Sequence, residues 1–447
     1  MFKLSTAKLL KNSIYQVISL TFNIITLGCK VNQYESQLMF ENMCEAGFIP
    51  CNSYKADITI INTCTVTHTS DSKNRKVINR TRRENEDAII VLTGCMPQAF
   101  AKDLELFDNC DIVMGNACRG ELVDTIREYL NNRNRIIRIS EHKNDEMFEK
   151  MKVNNFLERT RAFVKIEDGC NRFCSYCIIP YARGRVRSKS LSDLKAEVET
   201  LANKGYNEIV LVGINLSAYG TDIGATLADA VECVCLVDGV ERVRLSSLEP
   251  ELMTVDVLQR FAKQPKFCPH FHLSLQSGCT QTLKRMNRHY TAQEYADIVS
   301  NIRHIFNNPS ITTDIMVGFA GETQEEFEES LDFSDYIGFA KVHVFSYSRR
   351  KGTLADKMPD QVDPSIKNLR SKLMIEHTDN KRFEFLKSQV GLVEEVLFEI
   401  KNRAGFYEGY TKNYTPVYVM SDEDLIGKII DVKIIDANKD YCIATLI

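Results

Sequence analysis

Three apolar, strand-like runs dominate the first part of the chain, and each one ends shortly before a cysteine. The runs are residues 22–27, 58–62 and 89–92. Helical segments, 34–45 and 71–83, lie between them. Continuous β-branched runs that alternate with helices indicate a parallel sheet with helices on both faces. We therefore predict a doubly wound α/β domain over residues 21–130, preceded by an N-terminal extension, 1–20.

A second pattern of alternating strands and helices begins after residues 131–158, a polar stretch that we interpret as a linker. Over residues 159–380, strand-like runs alternate with amphipathic helical segments. The runs are residues 162–166, 208–212, 242–245, 270–275, 312–317 and 341–345. Six successive strand–helix units predict a partial (β/α)6 barrel, in which functional residues lie on the loops after the strands.

The last part of the chain, residues 381–447, changes to short alternating strands. These strands are residues 393–398, 406–410, 416–420, 428–434 and 441–446. Turn residues separate them, which predicts a small, five-stranded, all-β barrel of the kind that often binds oligonucleotides. From Phe383 onward the chain has eleven acidic and seven basic residues, and this balance weakens the case for RNA binding by the small barrel.

Composition indicates the cellular compartment of the protein and the kinds of partner that it can bind. The 447 residues carry a formal net charge of −4, so any affinity for nucleic acid must be local. Fifteen cysteines without a secretory signal favour metal or cluster ligation in a reducing compartment over disulfide bonds. No apolar run in the first 20 residues approaches the roughly 20 that a membrane-spanning helix needs. We expect a cytoplasmic protein with no membrane partner.

Cys170, Cys174 and Cys177 follow the first predicted barrel strand with the spacing C-x3-C-x2-C. Thiolates hold [4Fe–4S] clusters, and three ligands leave one iron open to bind a small molecule. A zinc knuckle with a fourth ligand elsewhere, or incidental buried cysteines, are the alternatives. We favour the cluster, because C-x3-C is looser than the usual zinc spacing.

Cys29, Cys64 and Cys95 each follow one of the three strands of the first domain. Ligands of parallel sheets gather beyond the carboxyl ends of the strands, where all three cysteines are expected. The alternative is three buried structural thiols. We favour a second cluster with three ligands, because three independent strands that end in a cysteine would be a coincidence.

Polar and basic residues on the predicted loops supply further candidates. Those that could bind a molecule on the open iron are Asn215, Ser247, Glu249 and Gln276. Those that could bind an RNA backbone are Lys73, Arg75, Arg82, Arg183, Arg185, Arg187, Arg288, Arg349 and Arg350. If the topology is right, the basic residues of the barrel loops converge on one face, where a polyanion such as RNA would bind. For the run 73–83, a solvated helix face is an equal alternative.

Taken together, these motifs resemble one family, the radical S-adenosylmethionine (SAM) methylthiotransferases. The resemblance covers about residues 22–447: an N-terminal domain with three cysteines, a radical SAM barrel and a C-terminal TRAM domain. Residues 27–33, 178–185 and 347–353 resemble the bacterial MtaB branch, which modifies N6-threonylcarbamoyladenosine in tRNA. Ala320 and Ser346 stand where the family usually has proline, and we expect local loop adjustments only.

The resemblance implies two [4Fe–4S] clusters and SAM as cofactors. The cluster of Cys170, Cys174 and Cys177 would bind and cleave SAM, and the other would supply sulfur for a methylthio group at C2 of the adenine. We assign no acid–base residue. The implied partners are tRNA and an electron donor such as flavodoxin or ferredoxin, and we expect a monomer. Alternatives are methylthiolation of isopentenyladenosine or of a ribosomal protein aspartate, and a non-catalytic RNA-binding protein with structural metal sites.

Overall fold

A computed structural model describes residues 20–143, 146–156 and 160–447. Of the predicted N-terminal extension, residues 1–19 lie outside the described residues, as do 144–145 and 157–158 of the predicted linker. Backbone contacts divide the chain into two compact units. The first holds the described residues up to Asn154 together with Gly169–Arg172 and Cys177–Arg185, and the second holds the remainder.

The first unit is built on a six-stranded parallel sheet with the strand order β2-β1-β3-β4-β5-β6. The strands are β1 (Thr21–Thr26), β2 (Ile49–Pro50), β3 (Ile58–Thr63), β4 (Ile89–Gly94), β5 (Ile112–Met114) and β6 (Ile136–Arg138). The helices are α1 (Lys30–Glu45), α2 (His68–Glu84), α3 (Cys95–Ala99), α4 (Leu122–Asn132) and α5 (Ile179–Arg183).

Apolar side chains cover both faces of this sheet. On one face, Ile60 and Val91 pack in a cluster with Met39 of α1. On the other, Ile61 and Leu92 lie in a second cluster. Every residue of β3 and β4 is buried, as the continuous apolar runs require. The doubly wound α/β domain is confirmed.

One strand lies inside the segment that we predicted as a linker. β6 pairs with β5 in parallel, with Ile136 opposite Ile112 and Arg138 opposite Met114. It has only three residues, all at least partly exposed, and polar residues flank it. A strand this short shows no periodicity, so the sequence pattern did not reveal it. The predicted domain boundaries themselves stay predictions.

The second unit contains a parallel barrel whose strands lie in two sheets, β11-β10-β7 and β12-β13-β14-β15. The strands are β7 (Arg161–Lys165), β10 (Glu208–Val212), β11 (Arg242–Leu245), β12 (Ser247–Leu248), β13 (His270–Leu273), β14 (Ser310–Val317) and β15 (Lys341–Ser346). Two short strands, β8 (Glu167–Asp168) and β9 (Arg187–Ser188), form an antiparallel pair. The predicted partial (β/α)6 barrel is confirmed.

Helices follow the strands of this barrel in the predicted order. They are α6 (Leu191–Ala202), α7 (Leu227–Cys235), α8 (Val255–Ala262), α9 (Thr280–Arg285), α10 (Ala292–Ile305), α11 (Gln324–Ile337) and α12 (Pro364–Ser388). α11 begins with a capping box, in which the Glu326 N–H donates to the Thr323 hydroxyl and the Glu326 carboxylate accepts from the Thr323 N–H. Among the described residues, no helix has the length and apolar character to cross a membrane.

The C-terminal segment closes into a barrel with the order β16-β17-β18-β20-β19. Its strands are β16 (Val393–Lys401), β17 (Phe406–Thr411), β18 (Pro416–Met420), β19 (Ile429–Ala437) and β20 (Cys442–Leu446). Arg242, at the start of β11, donates to the carbonyls of Tyr410 and Glu395 at 3.0 and 2.8 Å. The small barrel therefore contacts the amino ends of the large barrel's strands, the end opposite to the loops where functional residues are expected. The predicted five-stranded all-β module is confirmed.

Candidate functional site

Cys29, Cys64 and Cys95 all lie at the carboxyl edge of the parallel sheet of the first unit. Cys29 precedes the first turn of α1, and Cys95 is the first residue of α3. The register pairs Thr26 with Asn62 and Thr63 with Gly94, so the three strands end side by side. The topology thus brings together three residues that are far apart in sequence.

Two glycines allow the three loops to pack closely. A Cβ on Gly28 would lie 2.7 Å from the Cβ of Cys64, and a Cβ on Gly94 would lie 2.4 Å from the carbonyl of Thr63. Both glycines also have a positive φ, +125° and +99°, which a side chain would strain. Any side chain at either position would push the cysteine loops apart.

The three thiols lie close enough to affect one another electrostatically. Burial, together with negative charge at Cys95 and Cys29, raises the pKa of Cys64 to about 11. Burial also raises the pKa of Cys29, which Arg183 opposes. Three converging thiols suit a multi-iron cluster, whose positive metal ions deprotonate them.

Arg183, for which we predicted contact with RNA, provides a polar contact to this site. It is fully buried, its Nε donates to the Cys95 sulfur at 3.3 Å, and its two Nη atoms pair with Glu35 at 2.6 and 3.0 Å. The amide of Asn116 also donates to the Cys95 sulfur, at 3.8 Å. A buried guanidinium held by a carboxylate has no access to an RNA backbone.

The sequence pattern did not reveal Glu35 or Asn116. Glu35 and Asn32 are one turn apart on α1 and both are buried, although most charged residues on helices face solvent. No periodicity marks them as polar residues of the sheet's carboxyl edge. Only the parallel topology places α1 and α5 beside the same cysteines.

The loop with Cys170 and Cys177 depends on Gly169. A Cβ at this position would lie 1.9 Å from the carbonyl oxygen of Arg185, and its φ is +86°. The Cys170 N–H donates to the Gly184 carbonyl at 3.0 Å, and the Arg172 N–H donates to the Cys170 sulfur at 3.4 Å. The loop is therefore held in a defined conformation by backbone contacts within the first unit.

Cys174, in the second unit, is contacted by a different arginine, Arg288. Arg288 donates from Nη1 to the Cys174 sulfur at 3.3 Å and forms an ion pair with Glu249. It also donates to the Ser274 carbonyl at 3.1 Å and, from Nε, to the Tyr290 hydroxyl at 3.0 Å. Burial raises the pKa of Cys174, and the charge of Arg288 opposes this shift. Arg288 is too enclosed for its predicted contact with RNA.

The four residues predicted to bind a molecule on the open iron differ in position. Glu249 pairs with Arg288 beside Cys174. Asn215 is buried, and its backbone N–H donates to Glu167 Oε2 at 2.7 Å. Gln276 has a positive φ of 71°, and its backbone is fixed to β14 by the carbonyl of Asp314 and the N–H of Met316. Ser247 is exposed. For all four, the assignment as ligand contacts stays a prediction.

Glu167 is a further candidate that the sequence analysis missed. It is fully buried after β7, three residues before Cys170, and Gly213 leaves room for its carboxylate. Burial raises its pKa, and the backbone N–H groups of Asn215 and Ile214 oppose this shift. Its Oε1 atom has no hydrogen-bond partner among the described residues. A buried acceptor of this kind fits a ligand that brings its own donor, such as the amino or hydroxyl groups of SAM.

The remaining basic residues divide by burial. Lys73, Arg75, Arg185 and Arg349 are exposed. Arg82 is half-buried and pairs with Asp111 at 2.7 Å, while Arg187 and Arg350 are buried. Arg187 lies 3.6 Å from Asp168. The exposed four keep the charge and access that binding to a phosphate backbone needs, whereas the contacts predicted for Arg82, Arg187 and Arg350 stay predictions at more enclosed positions.

Three family models match successive parts of the chain. The model described as Radical SAM superfamily matches residues 164–334, the Uncharacterized protein family UPF0004 matches 21–115, and the TRAM domain matches 387–447. Among solved structures, the radical SAM methyltransferase TsrM from Kitasatospora setae has a TM-score of 0.54 at 12% identity, covering 73% of this chain and 72% of that one. At this identity the likeness concerns the fold alone.

Curated relatives match nearly the whole length. The threonylcarbamoyladenosine tRNA methylthiotransferase MtaB of Bacillus subtilis is 38% identical over 425 residues, which is 93% of this chain and 94% of the relative. The tRNA-2-methylthio-N(6)-dimethylallyladenosine synthase of Clostridium botulinum is 37% identical over 428 residues, 93% and 95% of the two chains. The chain belongs to the radical SAM tRNA methylthiotransferase family.

Proposed function

We propose that this protein is a tRNA methylthiotransferase that inserts a methylthio group at C2 of N6-threonylcarbamoyladenosine next to the anticodon. The observation that carries the proposal is the convergence of Cys29, Cys64 and Cys95 in a chain that also has the C-x3-C-x2-C motif after the first barrel strand. Either set alone would suit many iron–sulfur proteins. The two together suit an enzyme that both starts a radical reaction and supplies sulfur.

The cofactors are SAM and two [4Fe–4S] clusters, and we assign one set of three cysteines to each cluster. When bound, these groups supply the radical and sulfur chemistry, and the protein binds, orients and excludes water. In the first unit, Cys64 and Cys95 are buried and Cys29 is exposed. In the second, Arg288 and Glu249 orient Cys174, and Glu167 offers a free acceptor to SAM.

The choice of nucleoside rests on particular sequence segments. Relatives with either name, threonylcarbamoyladenosine methylthiotransferase or dimethylallyladenosine synthase, are 36–38% identical to this chain. Overall identity therefore does not separate the two substrates. The segments 27–33, 178–185 and 347–353, which flank the cysteines or follow the last barrel strand, favour threonylcarbamoyladenosine.

The proposed partners follow from this reaction. We propose that Lys73, Arg75, Arg185 and Arg349 contact the phosphate backbone of tRNA, because they are exposed and basic. A small electron-transfer protein such as flavodoxin or ferredoxin would reduce the cluster that binds SAM. We place the enzyme in the cytoplasm, where its tRNA substrate is found, and expect it to act as a monomer.

Mass spectrometry of tRNA nucleosides from a deletion strain tests the proposal. Loss of 2-methylthio-N6-threonylcarbamoyladenosine, restored by the wild-type gene but not by Cys64→Ala or Cys174→Ala, is the expected result. Loss of the methylthio derivative of isopentenyladenosine instead would move the substrate to the second tRNA branch. If both nucleosides persist and a ribosomal protein loses a methylthio aspartate, the tRNA assignment is wrong.

A further inference from the structure

The guanidinium of Arg183 is oriented toward the sulfur of Cys95 by a single carboxylate. Both of its Nη atoms are occupied by the two oxygens of Glu35, at 2.6 and 3.0 Å. The remaining donor, Nε, lies 3.3 Å from the Cys95 sulfur. An arginine fork bound in this bidentate way has little freedom to rotate, so the direction of the Nε–H bond is determined by Glu35.

A second arginine, Arg119, shares the same carboxylate. Arg119 lies 2.9 Å from Glu35 and 2.9 Å from Glu149, and it donates to the Asn116 side chain at 3.1 Å. Glu35 is thus held by two buried arginines, and Arg183 directs an N–H at the Cys95 sulfur. Arg183 and Arg119 can therefore be compared within one network of ion pairs.

Structural stabilisation alone does not explain this arrangement. Burying an ion pair removes two charges from water, and its replacement by apolar residues is often neutral or stabilising. A purely structural pair would also have no need to direct its third donor at a thiol. Hydrogen bonds to cluster sulfurs, by contrast, are one of the means by which proteins set the reduction potential of an iron–sulfur cluster.

We propose that Arg183 is a positioning residue of the cluster bound by Cys29, Cys64 and Cys95, and that its hydrogen bond to Cys95 raises the reduction potential of that cluster. A reduced cluster carries one more negative charge than an oxidised one, and a buried cation with a donor on the sulfur stabilises that charge. This inference rests on the proposed function for the assignment of the cysteines. It adds a residue and a property that this assignment does not contain.

The test isolates one cluster in the full-length chain. Replacing Cys170, Cys174 and Cys177 by alanine leaves only the N-terminal cysteines to bind iron after anaerobic reconstitution. In this background, Arg183→Gln is compared with Arg183→Lys and with the matched control Arg119→Gln. The readouts are iron per chain and the midpoint potential from an EPR-monitored redox titration, neither of which requires turnover.

The expected result is a lower potential in Arg183→Gln, with iron content unchanged. We expect the equilibrium constant for one-electron reduction to fall by about tenfold or more, which corresponds to about 59 mV. Arg183→Lys keeps the charge but not the rigid fork and should show a smaller shift. Arg119→Gln should change the equilibrium constant by less than about threefold, because the contacts of Arg119 are with the side chains of Glu35, Glu149 and Asn116.

Equal shifts in Arg183→Gln and Arg119→Gln would overturn the proposal, as would a normal iron content with an unmoved potential. If Arg183→Gln does not retain iron, Arg183→Lys, which keeps the charge but loses the fork, supplies the readout, and an unmoved potential in that variant would overturn the proposal. Failure of the parent protein itself to bind about four irons would instead contradict the cysteine assignment of the proposed function.

Discussion

The two sets of cysteines are contacted by similar polar groups, and these groups differ in their burial. In each, one arginine donates to a cysteine sulfur at 3.3 Å, and one glutamate binds that arginine. Arg183 and Glu35 have side chains that are 0% exposed, whereas those of Arg288 and Glu249 are 4% and 17% exposed. The Arg183–Glu35 pair is therefore fully buried, whereas the Arg288–Glu249 pair keeps contact with solvent through Glu249.

This difference matches two different tasks. A cluster whose free iron binds SAM needs an open side for the ligand, and a partly exposed Glu249 lies where an incoming molecule could meet it. A cluster that provides sulfur needs protection from water. The donors also differ, because Arg183 is occupied by one carboxylate while Arg288 divides its N–H groups among Cys174, Glu249, Ser274 and Tyr290. Arg288 is therefore coupled to several loops of the barrel.

The largest expected effect separates the two cysteine sets by reaction. Cys174→Ala should abolish reductive cleavage of SAM, because it removes a ligand of the cluster that binds SAM. Cys64→Ala should leave SAM cleavage in place but yield no methylthio product. Both are measured by chromatography of 5′-deoxyadenosine and of the tRNA nucleosides. A Cys64→Ala protein that still transfers methylthio groups would show that the sulfur-supplying role is wrong.

The next largest effect concerns the more exposed pair, Arg288 and Glu249. Glu249→Gln should weaken SAM binding about tenfold, about 1.4 kcal/mol, because the Arg288 charge loses its partner and the orientation of Cys174 relaxes. The measurement is the equilibrium dissociation constant of SAM for the reconstituted protein. Glu35→Gln is the matched control and should leave SAM affinity unchanged, since Glu35 binds the arginine that donates to Cys95, a ligand assigned to the other cluster. Equal losses in both variants would contradict the separate roles.

A smaller effect concerns Glu167 and pH. Its folded-state pKa is raised by burial, so the stability it contributes is fully present below its unfolded-state pKa and is lost as pH rises through the folded-state pKa. Glu167→Gln stays neutral and should therefore stabilise the apo protein relative to wild type at pH 8 more than at pH 5. Urea unfolding at the two pH values measures the difference. Asp168 and Lys165, the nearby charged groups, are unchanged in both proteins.

The smallest expected effects fall on the exposed basic residues. Lys73→Ala and Arg349→Ala should each weaken tRNA binding about two- to fivefold and reduce its dependence on salt, because each removes one phosphate contact. Lys263→Ala, an exposed lysine at the end of α8, is the control and should have no effect. Filter binding at two salt concentrations gives both quantities. Equal affinities for all four proteins would remove the proposed RNA contacts.

The sequence pattern predicted most of the fold because its signals are local. Continuous apolar runs marked the buried strands β3 and β4, whose residues face covered surfaces on both sides. Alternating strands marked the small barrel in the same way. β6 was missed, since three partly exposed residues have no period to detect. Its place in the sheet depends on pairing with β5, which is a contact across sequence.

The chain alone determined the two cysteine sets, their positions after strands and the glycines beside them, because strand periodicity and fixed spacing are properties of neighbouring residues. It could not show which polar side chains lie beside those cysteines. Arg183 and Arg288 looked like surface cations suited to RNA, yet each is enclosed and directed at a sulfur by a glutamate that is distant in sequence. Burial and ion pairing arise when separate elements pack together, so only the tertiary structure decided which arginines serve the clusters.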